Sequence, residues 1–206
     1  MAIRWNSDKR YLRDLAGKGV NIIPTVWGEN QSVAMAMQAH NMKKALLKPR
    51  SGASAEGIQI VSAEDVDGTL VLSSDYFMQP FMPQVRQGEY SLMFFRGNYA
   101  YTILKQPAEG SIFVQEEHGG VVRAIEPSAL MIQQAQQVIE VAASQLGLPV
   151  TDLLYARVDA LRDNDTLLLM ELELIEPAIY LYLRDDAPMQ FAQAIAQAST
   201  YRKGGA

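Results

Sequence analysis

Two neighbouring segments near the end of this 206-residue sequence constrain its fold most strongly. Residues 153–161 and 167–175 are rich in leucine and carry charges at alternate positions, and a polar turn at residues 163–165 separates them. Runs of this length that are bounded by turn residues are typical of β-strands. The sequence therefore predicts a long antiparallel hairpin.

Four charged side chains lie on this predicted hairpin. Arg157 and Asp159 are two positions apart on its first strand, and Glu171 and Glu173 are two apart on its second. Because alternate residues of a strand share a face, the members of each pair point the same way. A loop with an odd number of residues would place Arg157 opposite Glu171 and bring all four groups to one face. A loop with an even number would separate the two pairs.

The convergence of these groups would create a site for a divalent cation. Three carboxylates beside one arginine would repel each other strongly in a dry site, and a bound cation would relieve that repulsion. Oxygen ligands with no His or Cys nearby favour magnesium or manganese over zinc. The alternative is a solvent-facing hairpin with alternating charge. The apolar residues at 167–169 and 172–175 favour the buried site, because a solvated hairpin would not require them.

The remaining elements follow from apolar periodicity and turn residues. Helices are predicted after Asn6 and at residues 31–41, 127–146 and 187–199, and strands within 20–27 and at 45–48, 58–61, 70–72, 76–82, 90–95 and 99–104. Asn30 is the predicted N-cap of the second helix. Strands occur in runs with helices between the runs, which predicts an α+β fold.

Composition excludes several classes of function. The net charge is -5 and no polybasic run is present, which argues against binding to a nucleic-acid backbone. The chain has no cysteine, so disulfides and thiolate metal sites are excluded, and the cytoplasm is the expected compartment. No apolar run reaches the roughly 18 residues that a membrane span needs, and the N-terminus is too polar for a secretory signal.

A glycine- and serine-rich stretch, residues 50–57, follows the short strand that ends in Lys48 and Pro49. Gly52 and Gly57 have the spacing of a P-loop, but Ile58 follows where the lysine of a Walker A motif would be, so that motif is excluded. The backbone N–H groups of such a loop and the Lys48 ammonium can still contact phosphates. An ordinary connection between strands is the alternative.

Seven short motifs occur in order along nearly the whole chain. They are Asn-Ser-Asp-Lys at 6–9, Leu-Lys-Pro at 47–49, the loop at 51–57, Met-Gln-Pro-Phe-Met at 78–82, Gly-Glu-Tyr-Ser at 88–91, Tyr-Ala-Arg-Val-Asp at 155–159 and Glu-Leu-Glu at 171–173. Together they resemble the ATP-grasp superfamily, most closely its prokaryotic proteins that are similar to glutathione synthetase. The resemblance implies ATP and Mg²⁺, or Mn²⁺, as cofactors.

The resemblance implies a phosphate-binding role for two lysines and the loop. Lys9 and Lys48 would contact the ATP phosphates. The loop, with Ser51, Gly52 and Ser54, would close over them.

The resemblance also implies an adenine site at the hinge between two lobes. The backbone of Gln79, Pro80, Phe81 and Met82 would read the adenine edge, and the apolar groups of Phe81 and Met82 would sandwich the ring. Glu89 would hold the ribose hydroxyls or belong to an adjacent polar network.

Phosphoryl transfer would occur at the predicted hairpin. By resemblance, Asp159, Glu171 and Glu173 would bind two magnesium ions, and Arg157 would steady the transferring phosphoryl group or the acyl phosphate. The last metal ligand is commonly Asn in the family, so Glu173 makes this site more negative.

The expected architecture is two α+β lobes with the nucleotide between them. The smaller lobe would span about 34–75, and the larger lobe about 76–206 plus the N-terminal helix. Tyr90 and Ser91 follow Glu89 in place of the arginine of some peptide-forming relatives, which alters the acceptor site. Relatives carry a further N-terminal domain, and the chain starts where that domain would end.

The implied activity is an ATP- and magnesium-dependent ligase that forms an acyl phosphate from a carboxylate, which an amine or similar nucleophile then captures. A non-catalytic ATP-binding module, or a fragment of a larger ligase, is the alternative. The expected partners are small molecules, and no binding to nucleic acid or membrane is expected. A homodimer is one of the assemblies considered. Lys105 and Arg86 are interpreted as solvated surface charges.

Overall fold

A computed structural model describes residues 2–52, 56–108 and 119–201. The helices are α1 (Ala2–Asn6), α2 (Tyr11–Ala16), α3 (Val33–Ala39), α4 (Ala129–Leu146) and α5 (Ala187–Tyr201). The strands are β1 (Val26–Trp27), β2 (Gln31–Ser32), β3 (Lys44–Pro49), β4 (Gln59–Ser62), β5 (Val71–Leu72), β6 (Tyr76–Pro80), β7 (Glu89–Phe95), β8 (Asn98–Gln106), β9 (Val121–Ile125), β10 (Tyr155–Asp163) and β11 (Thr166–Glu173). No helix in these ranges is long and apolar enough to cross a membrane.

The larger sheet is antiparallel and has the strand order β11-β10-β7-β8-β9. Helix α4 packs on one face, where its buried side chains meet those of α2 and of the central strands. Ser128 caps α4 by accepting a hydrogen bond from Met131 N, and Gly147 ends it in a left-handed conformation with φ 65°. The apolar periodicity of α4 therefore places a continuous core under β7 and β10.

The opposite face of this sheet is divided into two halves. One half is apolar and is covered by α5, with Met93, Phe95 and Tyr101 at its centre. The other half carries the charged side chains of β7, β8, β10 and β11. We call this second half the charged face; its members are Glu89, Ser91, Lys105, Arg157, Asp159, Glu171 and Glu173.

A four-stranded sheet with the order β1-β6-β3-β4 carries a separate core. On one of its faces Ala45, Leu47 and Met78 pack against α3 and the short β2-β5 ladder. Because side chains alternate along β3, Leu46 and Lys48 point to the other face. That alternation places a lysine on a surface that the apolar core does not cover.

The N-terminal segment covers the exposed edge of β11. The side-chain amide of Asn6 accepts a hydrogen bond from Leu174 N at 2.9 Å and donates one to Leu172 O at 2.8 Å. It therefore makes the hydrogen bonds that the backbone of a neighbouring strand would make. Leu172 N also donates to the buried hydroxyl of Tyr11 at 2.9 Å. Farther along, Asn21 and Ile23 exchange backbone hydrogen bonds with Leu169. An unpaired strand edge is thereby protected, and the segment is fixed beside the charged face.

The α+β prediction is confirmed, with differences in detail. Residues 31–32 form β2 rather than the start of a helix, and Ser32, not Asn30, caps α3 by accepting from Met35 N. Only residues 26–27 of the predicted 20–27 region are a strand. Strand β9 was not predicted.

Candidate active site

A β-bulge brings the charged groups of the hairpin together. The turn has only two residues, Asn164 and Asp165, because Asp163 pairs directly with Thr166. An even loop of this kind should have separated the charges. The register shifts at Met170, however, so that Asp159 lies opposite Glu171 and Arg157 lies opposite Glu173.

Of the two loop parities considered, the even one occurs, and the pairing of Arg157 with Glu171 that an odd loop would give is not formed. The convergence of the four groups on one face is confirmed by the register. The extra residue in β11 does what an extra loop residue would have done, because both change the parity of the pairing.

Arg157 lies at the centre of the charged face and is buried, with 7 % exposure. Its Nη2 donates to Asp159 Oδ2 at 2.9 Å and also to Glu173, and its Nη1 donates to Ala178 O at 3.0 Å. Although burial alone would lower the pKa of Arg157, the neighbouring carboxylates raise it above its usual value. The guanidinium is therefore a fixed positive charge with a defined orientation.

Asp159 is the most firmly held carboxylate of the charged face. It accepts hydrogen bonds from Ser91 Oγ at 2.6 Å and from Arg157, and Lys105 Nζ lies 3.4 Å away. Burial raises the pKa of Asp159, but Arg157, Lys105 and Ser91 outweigh burial and lower the pKa to about 2. For Glu173, burial and the charge of Asp159 prevail over Arg157 and raise the pKa to about 7.

Lys105 is a member of the charged face that the sequence interpretation missed. It is 6 % exposed and forms ion pairs with Glu89 and Asp159, so its interpretation as a solvated surface charge is wrong. Burial lowers the pKa of Lys105, but the two carboxylates raise it to a net value above the usual range. Arg86, in contrast, is exposed as expected.

The pairing of β7 with β8 explains the position of Lys105. Glu89 lies directly opposite Lys105, and Tyr101, Ile103 and Lys105 alternate onto the same face of β8. The carboxylate of Glu89 forms an ion pair with this lysine. This arrangement matches the polar network that was one of the two expectations for Glu89.

Lys9 joins the charged face to the loop that follows β3. Its Nζ lies 2.8 Å from Glu171 Oε1 and donates to Gly52 O at 3.0 Å, while its backbone N donates to Arg50 O at 2.8 Å. Arg50 in turn forms an ion pair with Asp8 at 2.5 Å. The start of the loop is therefore fixed to the same segment that covers the edge of β11.

Lys48 lies on the core-free face of the four-stranded sheet, opposite Phe77 on β6. Burial lowers the pKa of Lys48, and the positive charge of Lys9 acts in the same direction, whereas Glu171 and Glu89 raise it. Burial outweighs the two carboxylates, so the net pKa of Lys48 lies below its usual value. A lysine whose charge is poorly compensated is suited to bind an anionic ligand.

Gln79 carries an unpaired polar atom in a buried position. Its side chain is 1 % exposed, and its Nε2 donates to Thr25 Oγ1 at 3.0 Å. Its Oε1 has no hydrogen-bond partner within the described part of the chain. A buried acceptor without a partner is costly, which indicates a place for a donor group from a ligand.

The residues that follow Gln79 are those for which the hinge was predicted. Pro80 ends β6 opposite Ala45, and Phe81 N donates to Lys44 O at 2.8 Å. The Lys44 ammonium lies 4.9 Å from the centre of the Phe81 ring, and Met82 follows half-buried. Ser51 and Gly52 are exposed at the start of the loop, and Ser54 lies outside the described residues.

The charged face fits Mg²⁺ by donor chemistry, and its carboxylates form ion pairs with lysine and arginine side chains. Asp159, Glu171 and Glu173 supply hard carboxylate oxygens from adjacent strands. Each of them is paired with a lysine or arginine, and within 2–52, 56–108 and 119–201 no three acidic or imidazole groups are arranged to hold a metal. A metal would therefore have to displace Lys9 and Arg157 from Glu171 and Glu173.

Comparisons with known proteins fit this geometry. No protein-family profile matches the chain. The cycloserine biosynthesis protein DcsG of Streptomyces lavendulae is 30% identical over 213 residues, which span 95% of this chain and 70% of DcsG. The crystal structure of the D-cycloserine synthetase DcsG superimposes with a TM-score of 0.80 at 27% identity, over 95% of this chain and 71% of that one.

Two more distant structures show the same fold. The ATP-grasp ligase PsnB, in complex with Mg and ADP and a precursor variant, gives a TM-score of 0.67 at 15% identity over 96% of this chain and 60% of PsnB. The D-alanine–D-alanine ligase from Bacillus anthracis in complex with ATP gives 0.65 at 15% identity, over 98% of this chain and 68% of that enzyme. At these identities the similarity concerns the fold alone.

Proposed function

This chain belongs to the ATP-grasp ligases, which use ATP and Mg²⁺ to join a carboxylate to an amine or related nucleophile, and from that premise we propose how its own residues carry out the reaction. The four-stranded sheet forms the smaller lobe and the five-stranded sheet the larger one. The nucleotide lies between Lys48 on the former and the charged face of the latter. The observation that supports this placement most directly is the shared face of Arg157, Asp159, Glu171 and Glu173.

The adenine base binds at the end of β6. The unpaired Gln79 Oε1 accepts a hydrogen bond from the exocyclic amine, and the backbone of residues 80–82 reads the same edge. Phe81 and Met82 contribute the apolar contact with the ring. This assignment gives the buried acceptor of Gln79 the donor that it lacks.

The phosphates bind among positively charged side chains. Lys9 and Lys48 contact them, and the loop from Ser51 closes over them with backbone N–H groups. Asp159, Glu171 and Glu173 would hold Mg²⁺, which would neutralise the charge that develops on the phosphate oxygens. The ammonium of Lys9, once separated from Glu171, is then available to the phosphates.

The chemistry proceeds in two steps. A carboxylate oxygen of the substrate forms a bond to the γ-phosphorus as the bond to the β-γ bridging oxygen breaks, which gives an acyl phosphate and ADP. Arg157 stabilises the transferring group because Asp159 fixes its guanidinium in place. An amine nitrogen then attacks the acyl carbon, phosphate leaves, and the nitrogen loses a proton.

The proposed substrates are small molecules. DcsG is a D-cycloserine synthetase, which makes small amino-acid carboxylates and amines the first class to test. A cytoplasmic location is also proposed, because the chain has no cysteine.

Calorimetric binding of a non-hydrolysable ATP analogue with and without Mg²⁺ tests this proposal. A Glu171→Ala, Glu173→Ala variant should lose the Mg²⁺-dependent part of the affinity. A matched variant, Asp152→Ala with Glu140→Ala, removes two exposed carboxylates near α4 and should bind as the native chain does. Equal binding by all three proteins would contradict the metal site. If the analogue binds but no carboxylate and amine pair causes release of ADP from ATP, a non-catalytic ATP-binding module is favoured.

A further inference from the structure

Asp8 and Arg50 join the N-terminal segment to the end of β3. The Asp8 carboxylate accepts hydrogen bonds from Arg50 Nε at 3.2 Å and Nη2 at 2.5 Å, and from Arg10 Nε at 3.0 Å. The third nitrogen of the Arg50 guanidinium, Nη1, donates to Ser74 O at 2.6 Å. Paired hydrogen bonds between a guanidinium and a carboxylate are strong and fix the orientation of both groups. We call the pair of Asp8 and Arg50 the clamp.

At its N-terminal end the clamp restrains Lys9. Asp8 Oδ1 also accepts a hydrogen bond from Arg10 N at 3.0 Å, so the Asp8 side chain closes a tight turn around residue 9. Within that turn Lys9 N donates to Arg50 O at 2.8 Å, and Lys9 Nζ lies 2.8 Å from Glu171 Oε1. Side-chain and backbone contacts of the clamp therefore restrain the residue whose ammonium reaches the charged face.

The other end of the clamp belongs to the strand that carries Lys48. Arg50 is two residues after Lys48, and Arg50 N donates to Asp75 O at 2.8 Å. Since Pro49 pairs with Tyr76, this bond continues the pairing of β3 with β6 by one residue. The clamp thus connects two segments, each of which carries one of the lysines proposed to bind phosphate.

The clamp is ionised at neutral pH and is only partly exposed. Burial raises the pKa of Asp8, but Arg50 and Arg10 outweigh burial and lower the pKa to about 2. The side chains of Arg50 and Asp8 are 20% and 22% exposed. Neither residue is a member of the charged face, so an effect of the clamp on a nucleotide has to act through the lysines that it restrains.

We propose that the clamp orients Lys9 for nucleotide binding, which makes Asp8 and Arg50 positioning residues of the enzyme. The inference rests on the proposed function, which places the phosphates at Lys9 and Lys48. When Lys9 leaves its present contacts and binds the phosphates, the clamp keeps its backbone beside β3. A side chain that is already restrained loses less conformational entropy on binding, so the clamp increases the affinity for the nucleotide.

Calorimetric binding of a non-hydrolysable ATP analogue with Mg²⁺ tests the clamp in two variants. Asp8→Asn keeps the size of the side chain and removes its charge. Arg50→Lys keeps the positive charge and removes the forked geometry of the guanidinium. The matched control is Asp186→Asn, because Asp186 forms a similar ion pair with Arg184 at 3.0 Å beside α5.

We expect both clamp variants to weaken binding of the analogue about three- to tenfold and to raise KM for ATP to the same extent. The KM for the carboxylate and the kcat should stay within about twofold of the native values, a division that a general loss of structure would not produce. Asp186→Asn should bind the analogue as the native chain does. Unchanged affinity in both clamp variants would overturn the inference.

A double-mutant cycle with Lys9→Met shows whether the clamp acts through Lys9. If it does, the variant Asp8→Asn, Lys9→Met should bind the analogue within about twofold of Lys9→Met alone. Losses that add in the double variant would overturn the inference and leave the phosphate site intact. If the native chain does not bind the analogue, or if Lys9→Met binds it as tightly as the native chain, the proposed phosphate site is refuted and the inference with it.

Discussion

Asp159 on β10 lies directly opposite Glu171 on β11, although the turn that joins their strands has an even number of residues. The pairing depends on the bulge at Met170, which places two residues of β11 against one of β10. Without it, Glu171 and Glu173 would face α4 and the apolar core. The charged face therefore exists because of one extra residue in a strand.

Insertion of one alanine between Met170 and Glu171 should turn both glutamates away from Asp159. We expect the affinity for the ATP analogue in the presence of Mg²⁺ to fall at least about tenfold, since the proposed metal ligands would no longer share a face. Calorimetry measures this loss. An alanine inserted between Asn164 and Asp165 lengthens the exposed turn instead and should leave affinity within about twofold. Equal effects of the two insertions would contradict the role of the bulge.

Replacement of Lys105 by methionine should destabilise the chain by about 3–5 kcal/mol, because Glu89 would remain buried without its partner. Urea unfolding gives the free energy of unfolding. The double variant Lys105→Met, Glu89→Gln should recover part of the loss, since the unpaired carboxylate is then neutral. Lys18→Met, which removes an exposed lysine, is the control. A cost below about 1 kcal/mol for Lys105→Met would show that the buried pair contributes little.

The ion pair of Asp8 with Arg50 should make stability depend on acid pH. Burial raises the pKa of Asp8, but Arg50 and Arg10 outweigh it and lower the pKa from 3.8 to about 2. The contribution is then present above the unfolded-state pKa and is lost as pH falls toward the folded-state value. Native stability should exceed that of Asp8→Asn by roughly 1 kcal/mol near neutrality, after allowance for solvent screening.

Unfolding in urea between pH 6 and pH 3 measures this difference for Asp8. The difference in free energy of unfolding between the native chain and Asp8→Asn should become smaller as the pH falls. Asp165→Asn removes an exposed carboxylate in the turn, with 87% side-chain exposure, and serves as the control. A gap that widens toward acid pH would contradict the predicted sign.

Tyr11→Phe should cost about 1–2 kcal/mol, because Leu172 N would lose its acceptor in a buried position. The effect should also be local. Amide exchange at Leu172 should accelerate more than exchange at Val158, which lies inside the sheet. Tyr99→Phe provides a comparison in which a partly buried hydroxyl is removed on another strand. Equal acceleration at both amides would argue against the hydroxyl as an edge anchor.

The fold was largely accessible from the sequence, because its long elements have clear periodicity. The hairpin of β10 and β11 and helix α4 are examples, since alternation and cap residues define them locally. The start of α3 was less accessible: Gln31 and Ser32 form a ladder with β5, which lies about 40 residues away along the chain. Tertiary pairing overrides local propensity at such positions.

The site was predicted less completely, because partners across strands depend on register. The charges of Arg157 and Asp159 could be assigned to one face, but no glycine or turn residue at Met170 signals a bulge. Lys105 was misassigned for a similar reason. Lys105 alternates with Tyr101 along β8 and so lies on the same face of the strand. Only the pairing with Glu89 shows that this face is buried.

One ammonium group, that of Lys9, contacts both Glu171 and the carbonyl of Gly52. Its double attachment has a kinetic consequence. In the proposed reaction, a metal ion bound at Glu171 would break the first contact, and binding of the phosphates by the Lys9 ammonium would break the second. Both events release the same lysine, so we expect binding of nucleotide and metal to proceed in resolved phases, with the slower one limited by the release of Lys9.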